Sequence, residues 1–228
     1  MKAQHLFSKL PAEIQSFLKK RLHVLNIYIF MRKCKCFFVR RHKISCFLKN
    51  NDFRVLHLGC GRYSIKKGEV FNSDLSFENF IDVLKPLPFP DNSIDVVFHE
   101  HLFEHLDFPF QTLSFLKECR RVLKKNGVLR FSMPDFDKYV DAYLHNELET
   151  AFKYGANFKE TYEMEVMNFL FKQRNEHKFI YNFRSASHLL KTTGFGTINR
   201  QDFNVSSIAE WKYDRWNDKL TMYIEAFK

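Results

Sequence analysis

Paired cysteines are missing from this chain. Five occur, Cys34, Cys36, Cys46, Cys60 and Cys119, an odd number with no C-x-x-C pair, which argues against a disulfide framework or a zinc ribbon and for reduced thiols. A long apolar run is missing too. Leu22 to Met31 is apolar but falls well short of the roughly 20 residues that span a bilayer. It also lies inside the chain and is followed by Arg32-Lys33 rather than by a small-residue cleavage site, so no secretory signal is expected. Acidic residues are scarce in the first fifty, where Glu13 stands alone against 12 lysines and arginines. Of the net charge of +10, the head therefore carries +11 and the remainder −1. No internal repeat or low-complexity tract appears.

A length of 228 residues suits one sizeable α/β domain with an appendage and is too short for two domains and a linker. The expected division is a basic extension over 1–50 and a single domain over 51–228. In the head, Pro11 sits where a first helical turn tolerates it, and Leu10, Ile14, Phe17, Leu18, Leu22 and Leu25 recur at helical spacing. The basic cluster Lys19-Lys20-Arg21 and the later Arg32, Lys33, Lys35, Arg40, Arg41 and Lys43 have two readings. They form a solvated edge of a helix packed on the domain, or a surface for an anionic membrane or phosphate-rich polymer.

From Phe53 onward, short apolar runs alternate with helix-like segments, the pattern of a mostly parallel sheet with crossover helices. Expected strands are Arg54 to Leu58, Val70 to Ser73, Asp95 to His99 and Val128 to Met133, with closing strands over Thr197 to Phe203 and Leu220 to Phe227. Leu113, Leu116, Cys119, Val122 and Leu123 line one face of a helix expected to end at Asn126-Gly127, residues tolerant of a left-handed turn. Residues 136–174 have helical character and many aromatics. Ser185 to Thr193, before Gly194, reads as a capped helix with Leu189 and Leu190 inward.

The densest information lies at Val55-Leu56-His57-Leu58-Gly59-Cys60-Gly61. A buried strand ending in Gly-x-Gly lets backbone amides approach a ligand with no Cβ in the way, and Asp74, closing the next apolar run, can hold ribose hydroxyls. With Leu87-Pro88-Phe89-Pro90-Asp91-Asn92-Ser93-Ile94-Asp95-Val96-Val97 further on, this region resembles the class I S-adenosylmethionine-dependent methyltransferases, in particular small bacterial ones acting on small molecules or glycans. The likeness covers about 52 to 135 well and 175 to 200 loosely. It implies a Rossmann-like α/β fold with a seven-strand mixed sheet flanked by helices, a substrate-covering insertion over about 136–174, and S-adenosyl-L-methionine as cofactor. It further implies that Gly59, Cys60 and Gly61 turn beneath the methionine portion, that Asp74 accepts from the ribose, that Asp82-Val83 face the adenine, and that His99 lies beside the cofactor. Two positions depart from the family pattern, His57 where an acid is common and Tyr63 at the third glycine. Asp74 also follows Gly61 by only 13 positions, leaving little room for a full helix between the first two strands.

The run His99-Glu100-His101-Leu102-Phe103-Glu104-His105 follows a strand at the carboxyl edge of the sheet, where open α/β proteins bind ligands. His101 is the first choice of general base and Glu100 the second, with Glu104-His105 left to cap the short helix. Asp135, after the Val128 strand, contacts substrate or caps the next helix, and capping is the safer reading. His177 and Tyr181 are acceptor-side contacts by resemblance; otherwise they are a surface histidine and a buried tyrosine.

The expected function is transfer of a methyl group to oxygen of a small-molecule or sugar-containing acceptor, by a cytoplasmic protein with peripheral contact at the inner membrane face through residues 1–50. No metal is expected. Three rival classes remain. A nucleic-acid methyltransferase would use the basic head, but the near-neutral remainder shows no Asn-Pro-Pro-Tyr-like motif. A scaffold would keep the cofactor fold without turnover. A zinc hydrolase would use His101-x-x-Glu104-His105, two histidines one helical turn apart with an acid between them.

Overall fold

The structure, a computed structural model, describes residues 39–75, 79–152 and 159–228. Two compact units divide the chain, Met1–Ser45 and Cys46–Lys228. Of the first, residues 39–45 are described and are helical, part of a helix (α1) over 39–50. The amphipathic helix expected around Pro11 to Leu25 and the basic cluster up to Lys35 lie outside the described residues.

The second unit is built on six strands among the described residues: β1 Val55–Leu58, β2 Val70–Ser73, β3 Ile94–Glu100, β4 Leu123–Pro134, β5 Ile198–Gln201 and β6 Thr221–Phe227. Their order across the sheet is β2-β1-β3-β4-β6-β5. The first four are parallel, β6 runs antiparallel to β4, and β5 antiparallel to β6. All four residues of β1 are buried, as expected of a central parallel strand covered on both faces.

The sheet therefore has six strands where seven were expected. The described residues between β2 and β3 supply no strand because their backbone is folded into turns. The Asp82 carboxylate accepts from the Leu84 amide at 3.0 Å while its carbonyl accepts from Lys85, and Pro88 and Pro90 have no amide to offer a ladder. No helix stands between β1 and β2, in keeping with the little room left by the short Gly61 to Asp74 spacing.

One sheet face carries Phe71, His99 and Phe131, which meet aromatic partners from the helical side. Phe47 packs on Phe71 at 5.4 Å, and Phe115 of helix α2 (Phe110–Val122) meets His99 edge-on at 5.4 Å. This helix stops at Val122, four residues before the expected Asn126-Gly127 end, because Leu123 already pairs with Ile94. The pairing then slips, so that Val96 faces Val128, and Asn126 takes the left-handed turn (φ 64°) inside the bulge. A Cβ on Gly127 would stand 2.9 Å from the Lys124 carbonyl and 3.0 Å from that of Asp95, closer than backbone atoms allow.

The expected insertion is helical in its described parts: α3 Phe136–Leu144, α4 Leu148–Ala151 and α5 Tyr162–Lys172. Tyr139, Ala142, Leu148, Phe152, Val166 and Leu170 form a separate apolar cluster there, closed by Leu220. The later helix, α6 Phe183–Thr192, starts in a capping box between Asn182 and Ser185 and buries Leu189 and Leu190.

The opposite sheet face carries a row of paired positions, Asn72, His57, Phe98, Arg130 and Glu225. The irregular segment 202–219 covers part of it. Arg130 is wholly buried, and its guanidinium donates to both oxygens of Asp214, to Glu225 at 2.8 Å, and to the carbonyls of Val205 and Asp202. Trp211 donates to Asp214 at 2.9 Å and packs edge-on against Phe98 at 5.0 Å. Arg130 thus fastens a segment that has no secondary structure of its own.

Candidate functional site

Because β1 to β4 are parallel, the residues following them gather at one sheet edge. Leu58 pairs with both Ser73 and His99, and Glu100 pairs with Ser132. The bend at Gly59–Gly61 therefore lies between Asp74 on one side and the Glu100-His101 segment on the other.

The bend is tight. Gly59 and Gly61 have φ of 64° and 54°, a region that side chains with a Cβ occupy at a cost of about 1–2 kcal/mol. The Gly61 amide donates to the Asp74 carboxylate at 3.0 Å, and Cys60 is fixed by the hydrogen bond its amide donates to the Ser73 carbonyl. The two glycines differ in surroundings. A Cβ on Gly59 would stand 2.4 Å from the end of the Leu102 side chain, whereas a Cβ on Gly61 would meet nothing within 4 Å. The open side of the bend is at Gly61. Cys60 turns its side chain inward, and burial pushes its thiol up to about 11, so only its backbone faces the bend. Asp82 is spent on its own turn and on Lys85 at 3.4 Å, and Val83 beside it is half-buried.

Two proposed residues are used otherwise than expected. His99 is wholly buried, stacked on Phe131 at 4.9 Å and near Phe103, and its ring nitrogens have no hydrogen-bond partner among the described residues. Burial holds it neutral, its pKa lowered to about 3. It belongs to the aromatic core and not to the cofactor edge. Glu100 is no free base either. Its buried carboxylate accepts from the Arg215 amide at 2.8 Å and the Arg215 Nε at 2.6 Å.

Arg215 is the residue that sequence reasoning missed. Besides holding Glu100, its guanidinium donates to the Tyr63 carbonyl at 3.3 Å and lies 4.9 Å from the centre of the Tyr63 ring. Tyr63, Arg215 and Trp216 line a cavity of about 160 Å³. The tyrosine at the third glycine position thus serves as a platform for the segment that Arg130 fastens. Nothing local in the sequence signals a contact between residues so far apart in the chain.

His101 stands at the same edge with a left-handed backbone (φ 47°), a conformation uncommon outside glycine and asparagine. Its Nδ1 lies 3.1 Å from the Glu104 carboxylate, and its ring meets Trp216 edge-on at 5.4 Å. Burial alone would lower its pKa, but the hydrogen bond and charge of Glu104 outweigh that and hold it above the ordinary imidazole value. Glu104, expected only to cap the short helix, is instead the buried partner that orients His101. Phe103–His105 forms a 3-10 turn rather than an α-helix, so His101 and His105 lack the helical setting of the zinc hydrolase pattern.

On the acceptor side, Asp135 caps α3 by accepting from Asp137 and pairs with Arg200. Tyr181 is buried against Phe103 at 4.8 Å with its hydroxyl 3.2 Å from Thr112, and burial pushes it up to about 12. It is a core residue and not an acceptor contact. His177 is buried too, beside His105 at 5.1 Å between ring centres.

Comparison with known proteins finds a likeness for part of the region so described. Residues 56–131, one third of the chain, match the model of a methyltransferase domain. A probable S-adenosylmethionine-dependent methyltransferase of Mycobacterium tuberculosis is 42% identical over 52 residues, which is 23% of this chain and 18% of that protein. A probable methyltransferase of Aspergillus luteorubrus is 42% identical over 48 residues, 21% of this chain and 17% of that protein. The matched stretches thus span less than a fifth of the length of these curated relatives. A solved SAM-dependent methyltransferase from Archaeoglobus fulgidus aligns over 89% of this chain and 99% of its own, at 16% identity and a TM-score of 0.48. The segment from β1 into β4 is thus similar in sequence to a methyltransferase domain.

Proposed function

We propose that the chain transfers a methyl group from S-adenosyl-L-methionine to a hydroxyl of a small-molecule or sugar-containing acceptor. The observation carrying this reading is the open bend at Gly61, tied to Asp74 within the segment that matches the family. When bound, the cofactor supplies a methyl group on a sulfonium, which an in-line nucleophile displaces.

The chain's own part is placement and proton removal. The Gly59–Gly61 backbone and Asp74 hold the donor, and Glu100 is left to anchor Arg215 and with it the wall made by Tyr63 and Trp216. His101 is the base. Because Nδ1 is committed to Glu104, the buried Nε2, which has no hydrogen-bond partner among the described residues, is the nitrogen left to take the proton, and Glu104 stabilises the imidazolium formed when it arrives. The helices over 136–174 cover the acceptor, and the basic residues of 1–50 bring the protein to an anionic membrane surface. No described helix is long and apolar enough to cross a membrane.

Calorimetry with S-adenosyl-L-methionine tests the donor site, comparing wild type with Gly61→Arg. The Arg side chain would enter open space at a backbone cost of about 1–2 kcal/mol, so the fold should survive while binding is lost; equal binding by both proteins would refute the site. Labelled-methyl transfer to fractionated extracts tests turnover, and donor binding without transfer would make the chain a scaffold.

A further inference from the structure

We propose that Glu104, His105 and His177 bind a divalent transition metal ion, Zn²⁺ by the chemistry of the donors. One ligand atom from each of these side chains lies within 4.8 Å of the others. The backbone holds the two segments together, since the Glu104 carbonyl accepts from the amides of both Lys178 and Phe179.

The hydrogen bonding prepares the donors. His105 Nδ1 lies 3.1 Å from the Glu176 carbonyl and His177 Nδ1 2.5 Å from that of Leu170. A carbonyl oxygen only accepts, so each Nδ1 carries the proton and each neutral ring keeps its lone pair on Nε2. This is the arrangement found around metal-bound histidines, where a carbonyl on the far nitrogen fixes the tautomer and the ring orientation. The third donor is ready as well. Glu104 Oε1 faces His101, while the buried Oε2 has no hydrogen-bond partner among the described residues. A buried carboxylate oxygen left unpaired is costly, and a cation satisfies it.

Two imidazoles and one carboxylate make the donor set of open zinc sites, with bonds of about 2.0–2.2 Å and a fourth position for water. The ligand-to-ligand edge of such a tetrahedron is roughly 3.4 Å, so a separation of 4.8 Å closes by about 1.4 Å on loading. The half-exposed His105 has the room to move. Because the same carboxylate holds His101 Nδ1, the ion would fix the orientation of His101 through Glu104.

The experiment uses metal-free full-length protein titrated with Co²⁺ and Zn²⁺. One equivalent of Co²⁺ should give the intense visible absorption of a four-coordinate site, displaced by Zn²⁺. His105→Asn and His177→Gln should each weaken binding at least tenfold, while His188→Gln, at an exposed position on α6, leaves it unchanged. His177→Cys, which restores a ligand, should bind again with a thiolate-to-metal charge-transfer band, so a fold defect in the Gln variant does not decide the matter. No uptake by wild type in tenfold metal excess, or equal uptake by wild type and both histidine variants, overturns the proposal. The readout requires no methyl donor and is independent of the transfer reaction.

Discussion

Replacing Arg130 with Met removes the cation that pairs with both Asp214 and Glu225, two fully buried carboxylates. The side chains are similar in length, so packing against Trp211 and Tyr223 is largely kept. What is lost is the charge and its hydrogen bonds to two carboxylates and two carbonyls. Breaking a buried pair by removing one partner costs about 3–5 kcal/mol, a large part of the roughly 5–15 kcal/mol that stabilises a domain. Urea unfolding monitored by tryptophan fluorescence should show a loss of unfolding free energy of that size, since Trp211 donates to Asp214. The effect should reach the site, because Asp214 immediately precedes Arg215, and donor affinity should drop together with stability. Adding Asp214→Leu and Glu225→Met, which removes the stranded anions, should recover part of the loss. A single variant destabilised by less than about 1 kcal/mol would refute the view that Arg130 fastens 202–219 to the sheet.

Arg215→Met frees Glu100 and removes the contact with Tyr63; donor binding in calorimetry should weaken about tenfold with a smaller effect on the melting temperature, and unchanged affinity would separate this wall from the site. Gly127→Ala should destabilise by about 1–3 kcal/mol in chemical denaturation, because its Cβ meets two backbone carbonyls that cannot swing away; a neutral result would mean the bulge relaxes freely. His57 is buried and its pKa lowered to about 4, chiefly by burial and against the hydrogen bond with Asn72. Below about pH 6.5 the unfolded chain takes up a proton that folded His57 refuses, so its contribution is complete above that value. It should fall by up to about 3 kcal/mol as pH drops toward 4. In His57→Gln the stability-against-pH curve should lose one proton's worth of slope in that window, and an unaltered slope would show that His57 titrates normally.

Much of the architecture was legible because its causes are local. Val55–Leu58 reads as a buried strand from its own apolar residues, and the 13-position spacing from Gly61 to Asp74 leaves little room for a full helix. Where the expectations failed, a distant partner had intervened. The α2 helix ends early because Leu123 finds Ile94 across the sheet, and His99 and Tyr181 are drawn from the site into an aromatic core by Phe103, Phe115 and Phe131.

Sequence alone determined the glycine bend, the acid beside it and the parallel order that brings them to one edge, since these follow from residue type, spacing and the geometry of a strand. Only the tertiary structure decided which of the clustered acids and histidines are available. Glu100 is consumed by Arg215, Glu104 is given to His101, and His177 is carried to His105 from a separate segment. The protonation and reach of a side chain depend on what surrounds it in space, and that environment is assembled from residues far apart in the chain.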